Sequence, residues 1–160
     1  LDHMLIELPN QILNKSDETA DLAARIGAQL RIGDTLLLQG DIGAGKSFFA
    51  RALIQSLQDH PEDVPSPTFT LVQTYTTNIG EVWHADLYRL NDPSEAEELG
   101  LAEAFSDAIC LIEWPDRLAN LVPPDAITLS FTTLANDDMR QISFSGGTQA
   151  LRSQISKALL

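Results

Sequence analysis

The stretch Gly40-Asp41-Ile42-Gly43-Ala44-Gly45-Lys46-Ser47 indicates a fold more strongly than any other part of this sequence. Its spacing, Gly-x-x-x-x-Gly-Lys-Ser, is the Walker A pattern of loops that cradle phosphate groups. Glycine permits backbone conformations in which consecutive N–H groups point at phosphate oxygens. In such a loop Lys46 reaches the β- and γ-phosphates of a nucleotide, and the Ser47 hydroxyl binds Mg²⁺. We therefore expect residues 40–47 to bind a nucleotide.

The segments on either side of this loop are those that the pattern requires. The apolar run Thr35–Gln39 predicts a strand that is buried on both faces. After the loop, apolar residues recur at helical spacing as far as about Gln58, which predicts a helix. The positive N-terminal end of that helix would add to the attraction for phosphate. This context favours a phosphate-binding loop over a chance match.

Periodicity and turn signals divide the rest of the chain into further elements. Strands are predicted at Leu5–Leu8, Phe69–Thr76, Glu81–Tyr88, Ala108–Ile112, Ala126–Leu134 and Met139–Ser145, and helices at Asp17–Leu30, Asp92–Gly100 and Thr148–Leu159. The second and third of these strands flank a turn and would form a hairpin. The order predicts an α/β fold, a P-loop NTPase-like three-layer sandwich. Its sheet would be mixed and mostly parallel, with the hairpin inserted.

The charge balance excludes some classes of partner. The 160 residues include 23 Asp and Glu against 10 Lys and Arg, so the net charge is -13. A general nucleic-acid binder needs clustered cations, and so does a protein that binds anionic membranes. A polyanion bound by this chain must be held by local backbone dipoles, Lys46 and Mg²⁺.

Cysteine usage and the N-terminus suggest where the protein works. Cys110 is the only cysteine, so no disulfide or cysteine-rich zinc site can form within the chain. A reducing, cytoplasmic setting is expected. No apolar run is long enough to span a bilayer, and Leu1–Met4 does not resemble a secretory signal. We interpret residues 1–3 as a cloning remnant and expect residues 4–160 to form a single domain.

Two carboxylates stand at predicted strand ends. Glu113 follows an apolar run, where such folds hold Mg²⁺ directly or through water; otherwise it is a strand-end acid that faces solvent. Alternation places His84, Asp86 and Tyr88 on one face of their strand. Asp86 could position a water or complete the Mg²⁺ shell, or this could be an ion-paired strand edge. For His84 alone we expect a structural role.

Three further features each allow two interpretations. Thr68 lies in a proline-rich loop and would either contact Mg²⁺ and the γ-phosphate, as switch segments do, or belong to a rigid turn. Trp114 would stack on a base or pack in the core. The acidic run Glu95, Glu97 and Glu98 is a solvated helix face or a docking surface for a basic partner.

Taken together, these residues resemble the bacterial TsaE (YjeE) family, small ATPases of tRNA threonylcarbamoyladenosine biosynthesis. The resemblance covers about residues 16–118. The matching segments are residues 40–47, Ser66-Pro67-Thr68-Phe69-Thr70-Leu71-Val72, His84-Ala85-Asp86-Leu87-Tyr88-Arg89 and Ile112-Glu113-Trp114-Pro115. Ser47 stands where the family more often has threonine, and both side chains carry the required hydroxyl. The region after about Val122 carries no matching motif.

The resemblance implies a role for each matching residue. It implies a P-loop fold that binds ATP and Mg²⁺, with Lys46 on the phosphates and Ser47 with Glu113 at the metal. It implies that Thr68 contacts the γ-phosphate and that Asp86 is needed for hydrolysis, by ordering water or Mg²⁺. Trp114 would lie near the nucleotide, and the stretch around residues 16–19 would touch the adenine.

The resemblance also implies partners. Members of the family act with TsaB and TsaD, and TsaD transfers a threonylcarbamoyl group to an adenosine of tRNA. The ATPase is expected to bind the partner dimer and reset it between turnovers. It would meet tRNA only through that complex, which agrees with the acidic composition.

Three hypotheses of function remain open from the sequence. The first is a partner-activated ATPase, in which water attacks the γ-phosphate; Arg89 and Arg117 are candidates for an arginine finger. The second is a small-molecule kinase, although no arginine-rich lid segment is present. The third is a nucleotide-gated binding module that does not hydrolyse ATP.

Overall fold

The computed structural model describes residues 4–67, 70–135 and 138–159, and these ranges contain seven strands, five α-helices and one 3₁₀ segment. The strands are β1 (Gln11–Leu13), β2 (Thr35–Gln39), β3 (Val72–Thr77), β4 (Gly80–Asp86), β5 (Ile109–Glu113), β6 (Ile127–Thr133) and β7 (Arg140–Gly146). The helices are α1 (Ser16–Gly27), α2 (Lys46–Ser56), α3 (Ser94–Glu98), α4 (Leu101–Asp107) and α5 (Gln149–Ala158), and the 3₁₀ segment is Pro115–Leu121.

All seven strands form one sheet in the order β1-β7-β6-β2-β5-β4-β3. The four central strands, β6, β2, β5 and β4, are mutually parallel, and antiparallel pairs close both edges: β6 with β7, β7 with β1, and β4 with β3. The central strands β2 and β5 are apolar almost throughout because both of their faces are covered. The carboxyl ends of β2, β4 and β5 therefore meet at one edge of the sheet.

Helices cover both faces of the sheet, so the α/β three-layer sandwich with an inserted hairpin is confirmed. One core contains Leu36 and Leu38 of β2 and packs against α1, α2 and α5. The other contains Leu37 and faces α3, α4 and the 3₁₀ segment. This alternation follows from the two-residue period of a strand. Within the ranges described, every helix is too short or too polar to cross a lipid bilayer.

The strand predicted at Leu5–Leu8 is wrong, and the first strand is β1 instead. The backbone of Ile6 is bonded by side chains of α5: its N–H donates to Gln149 Oε1 at 2.8 Å, and its carbonyl accepts from Arg152 Nε at 2.8 Å. Pro9 has no N–H to offer a ladder. Pairing begins after it, where β1 lies antiparallel to β7.

Other predicted elements exist with shifted ends. Gly100 ends α3 as expected, but α4 begins directly after it and was missed. The left-handed backbone of Gly100, with φ of 84°, turns the chain between the two helices. Helix α1 ends at Gly27 rather than Leu30. Strand β4 ends at Asp86, and Phe69 lies outside the described residues.

Candidate functional site

The loop that joins β2 to α2 has the backbone that its glycines predict. Gly40 has φ of 151° and Gly45 has φ of 104°, values that residues other than glycine rarely adopt. A Cβ on Gly40 would lie 2.7 Å from the carbonyl oxygen of Phe131 in β6. Gly45 immediately precedes Lys46, the first residue of α2. The loop therefore leads directly to a helix N-terminus, which favours bound anions.

Lys46 is folded back into this loop. Its side chain is only 4% exposed, and Nζ donates to the Gly40 carbonyl. Nζ also lies 3.8 Å from the centre of the Trp114 ring, which is a cation–π contact. Burial lowers the pKa of Lys46 from its usual value, while the carboxylates of Glu113 and Asp86 oppose that shift. The ammonium is thus held near the loop by a carbonyl, an aromatic face and nearby negative charge.

Glu113 is the carboxylate at the centre of the site. It is 2% exposed, and its carboxylate accepts from the single Ser47 hydroxyl proton, with Ser47 Oγ 3.0 Å from Oε1 and 2.9 Å from Oε2. His84 Nε2 lies 2.6 Å from Glu113 Oε2. His84 Nδ1 is buried without a hydrogen-bond partner among the described residues. A proton there would be an unsatisfied buried donor, so we place the single proton on Nε2, which donates to Glu113.

Asp86 lies beside Glu113 on the neighbouring strand. The two residues are paired in the parallel register of β4 and β5, and Asp86 is 6% exposed. Its Oδ1 accepts from the backbone N–H of Tyr88 at 3.1 Å. Tyr88 stands just beyond the strand, with its ring centre 4.9 Å from that of Trp114. The structure therefore brings together the two carboxylates that the sequence placed at strand ends.

A cavity of about 610 Å³ opens in front of these groups. This volume falls in the range of pockets that hold small-molecule ligands. Its wall includes the predicted site residues Ile42, Gly43, Gly45, Lys46, Ser47, Asp86, Glu113 and Trp114. Ser16 and Thr19 of α1 also line it, in the stretch expected to touch adenine.

The remaining predicted site residues either do not line this cavity or fall outside the described residues. Ala44 is a buried residue of the loop, and its N–H donates to the Asp41 carbonyl at 3.1 Å. Gly40 and Asp41 line a second cavity of about 410 Å³, which shares Trp114 with the first. Thr68 falls outside the described residues, so its predicted contact with the γ-phosphate stays a prediction.

One cation at the loop and one contact of a histidine were not predicted from the sequence. Arg140, at the start of β7, donates from Nε to the Ala44 carbonyl at 2.9 Å. It lies in the region after Val122, where no motif points to it. A structural role was expected for His84, and its contact with Glu113 is compatible with that role, although the contact itself was not predicted. Its position two residues before Asp86 on the same strand face was the signal that could have found it.

The donor groups at the site suit Mg²⁺. The Ser47 hydroxyl and the Glu113 carboxylate supply oxygen ligands, which this hard cation prefers. Across the described ranges, no group of three or more His, Cys, Asp or Glu residues could hold a metal ion. A site with few protein ligands fits Mg²⁺, which usually keeps several waters and is shared with substrate phosphates.

A glycine-rich loop between a buried parallel strand and a helix, with a buried lysine and a carboxylate on the adjacent strand, defines a protein of the P-loop NTPase-like class. Comparison with known proteins identifies the family within this class. The family model described as "Threonylcarbamoyl adenosine biosynthesis protein TsaE" matches residues 13–142. The chain belongs to the TsaE family.

Individual relatives agree with this membership. A Rickettsia bellii protein called "tRNA threonylcarbamoyladenosine biosynthesis protein TsaE" is 41% identical over 126 residues, which cover 79% of this chain and 88% of the relative. A Bacillus subtilis protein of the same description is 36% identical over 129 residues, with 80% and 79% covered. The crystal structure of Bacillus subtilis YdiB superimposes with a TM-score of 0.81 at 25% identity, covering 99% of this chain and 97% of that one.

Proposed function

We propose that this chain binds ATP with Mg²⁺ and hydrolyses it, as an accessory protein in the threonylcarbamoyl modification of tRNA adenosine. The observation that carries the proposal is the partly buried contact between Ser47, which follows the loop lysine, and Glu113 at the end of β5. It joins the phosphate loop to the strand end where this class of fold holds its metal. Family membership supports the tRNA pathway.

In this proposal each residue has a separate task. The backbone N–H groups of residues 40–47 and the N-terminus of α2 would face the phosphates, and Lys46 would neutralise charge on the β- and γ-phosphates. Ser47 and Glu113 would hold Mg²⁺, which supplies further stabilisation of phosphate charge when bound. The 610 Å³ cavity has room for the nucleotide beside these groups.

Three residues would act around the reacting phosphate. Asp86, beside Glu113, would order the attacking water or a water on the metal. Thr68 would contact the γ-phosphate from the adjoining loop. Trp114, which now contacts the Lys46 ammonium, would lie against the nucleotide. Hydrolysis would then depend on electrostatic stabilisation and positioning rather than on covalent chemistry.

The partners in this proposal are TsaB and TsaD. A net charge of -13 disfavours direct contact between this chain and a polyanionic tRNA. We infer that the chain docks on the partner proteins and that its hydrolysis resets their complex. Its effect on tRNA would thus be indirect, and the proposed setting is the cytoplasm.

The test is ATP hydrolysis by the chain alone and with purified TsaB and TsaD. The variants are Lys46→Ala and, as a matched control, Lys157→Ala on the exposed side of α5. We expect slow hydrolysis alone, faster hydrolysis with the partners, and none in Lys46→Ala, while Lys157→Ala behaves like the wild type. No partner effect at concentrations where the proteins bind would contradict partner activation. Phosphoryl transfer to a small molecule instead of water would indicate a kinase.

A further inference from the structure

The β6–β7 pair lies in the part of the chain without a recognisable motif, yet it contacts the phosphate loop at two places. At Gly40, the carbonyl of Phe131 in β6 lies so close that a Cβ would come within 2.7 Å of it. At the other end of the loop, Arg140 in β7 reaches the backbone of Gly43 and Ala44. The two contacts suggest that this hairpin does more than extend the sheet.

The Arg140 guanidinium donates hydrogen bonds to three backbone carbonyls. Nε donates to the Ala44 carbonyl at 2.9 Å, and Nη2 donates to the Gly43 carbonyl at 3.4 Å. Nη1 donates to the carbonyl of Met139 at 3.0 Å, which orients the side chain relative to its own strand. A planar guanidinium, with its N–H donors in a fixed fork, suits such multiple bonds.

These bonds also orient the amide that follows. A carbonyl and the N–H of the next residue lie in one peptide plane and point in opposite directions when the bond is trans. The peptide bonds described are all trans. Fixing the Ala44 carbonyl against Arg140 therefore fixes the Gly45 N–H, which points away from the guanidinium. A charged donor on the carbonyl also polarises the peptide unit and makes its N–H a stronger donor.

We propose that Arg140 is a positioning residue, which braces the phosphate loop so that its N–H groups are already arranged for a nucleotide β-phosphate. The effect on nucleotide affinity rests on the function proposed above, whereas the brace itself exists without nucleotide. In this proposal the hairpin after Val122 positions the loop through two contacts, Arg140 at Gly43 and Ala44 and Phe131 at Gly40.

The brace is tested first without nucleotide, by amide hydrogen exchange over residues 40–47. The variants are Arg140→Met, which keeps the stem and removes the donors, and Arg140→Lys, which restores a charged donor. Arg25→Met is the matched control, because Arg25 makes an arginine-to-carbonyl bond to Ala158 between α1 and α5. We expect about tenfold faster loop exchange in Arg140→Met, partial recovery in Arg140→Lys, and no change in Arg25→Met. Unchanged exchange in a folded Arg140→Met variant would overturn the brace.

The second readout is affinity for ADP, ATP and AMP by calorimetry. We expect Arg140→Met to weaken ADP and ATP about tenfold each, with partial rescue by Arg140→Lys and little change for AMP, which lacks the β-phosphate. Equal loss for AMP would show contact with the nucleoside or the α-phosphate, and a loss for ATP alone would show action on the γ-phosphate. Either result, or faster exchange with unchanged ADP affinity, overturns the proposal. A wild type that binds no nucleotide refutes the proposed function, while hydrogen exchange still decides the brace.

Discussion

Replacing His84 by leucine should destabilise the protein because it removes a buried donor from Glu113. The bond between His84 Nε2 and Glu113 Oε2 is 2.6 Å long, and the two side chains are 1% and 3% exposed. Losing a hydrogen bond to a buried charged group costs about 3 kcal/mol. Because the Ser47 hydroxyl still donates to Glu113, the loss of stability should stay near about 3 kcal/mol. It should not reach the roughly 3–5 kcal/mol typical of a buried charge left without any partner. For a chain of this size, that corresponds to a Tm lower by about 6–12 °C.

The assay is urea unfolding followed by circular dichroism, with EDTA and without nucleotide. The same substitution is also measured in a Glu113→Gln variant. The amide oxygen of the glutamine can still accept from His84 but carries no charge. There, His84→Leu should cost only about 1 kcal/mol, so the two changes should couple by about 2 kcal/mol. A cost of His84→Leu below 1 kcal/mol, or the same cost in both backgrounds, would refute the assigned tautomer and contact.

Three further predictions concern the loop, the metal ligand and the buried thiol. Gly40→Ala must displace the Phe131 carbonyl, whereas the Cβ of Gly43→Ala meets nothing within 4 Å and adds only backbone strain. We expect the free energy of unfolding to fall by at least about 2 kcal/mol in Gly40→Ala and by about 1 kcal/mol in Gly43→Ala. A larger loss in Gly43→Ala than in Gly40→Ala, measured by urea unfolding, would contradict this prediction. Ser47→Ala should abolish the gain in ATP affinity that Mg²⁺ produces, measured by calorimetry with Mg²⁺ and with EDTA; an undiminished gain would exclude the hydroxyl as a ligand. Burial raises the pKa of the Cys110 thiol to about 12 from 9.0. The thiol therefore ionises at a lower pH in the unfolded chain than in the folded protein. The free energy of unfolding should fall between about pH 9 and 12, by up to about 1.4 kcal/mol per pH unit. Subtracting the pH profile of Cys110→Ala isolates that slope, and identical profiles would refute it.

The loop and its flanking elements could be predicted from sequence because their signals are local. The Walker A spacing, the apolar strand β2 and the periodicity of α2 lie within some twenty residues of one another. Both Asp86 and Glu113 were predicted at strand ends, but their proximity follows from the parallel register of β4 and β5, a pairing that was not predicted. The contact with the β- and γ-phosphates that the pattern implies for Lys46 stays a prediction.

The remaining features depend on tertiary contacts that no local pattern encodes. Arg140 reaches a carbonyl 96 residues earlier in the chain, and nothing in its neighbourhood distinguishes it from a surface arginine. The true position of β1 depends on how α5 side chains bind the backbone of Ile6. Helix α4 was missed because Gly100 is a good helix terminator, and the sequence pattern did not show that a second helix starts after it.

The proposed nucleotide site is best tested by calorimetric titration of ATP with Mg²⁺ into the wild type, Lys46→Ala and Lys157→Ala. We expect one site in the wild type and in Lys157→Ala. In Lys46→Ala we expect an affinity for ATP at least about 100-fold lower, because a buried ammonium beside the phosphates is lost. Equal affinity in Lys46→Ala and the wild type would contradict the claim that residues 40–47 form the nucleotide site.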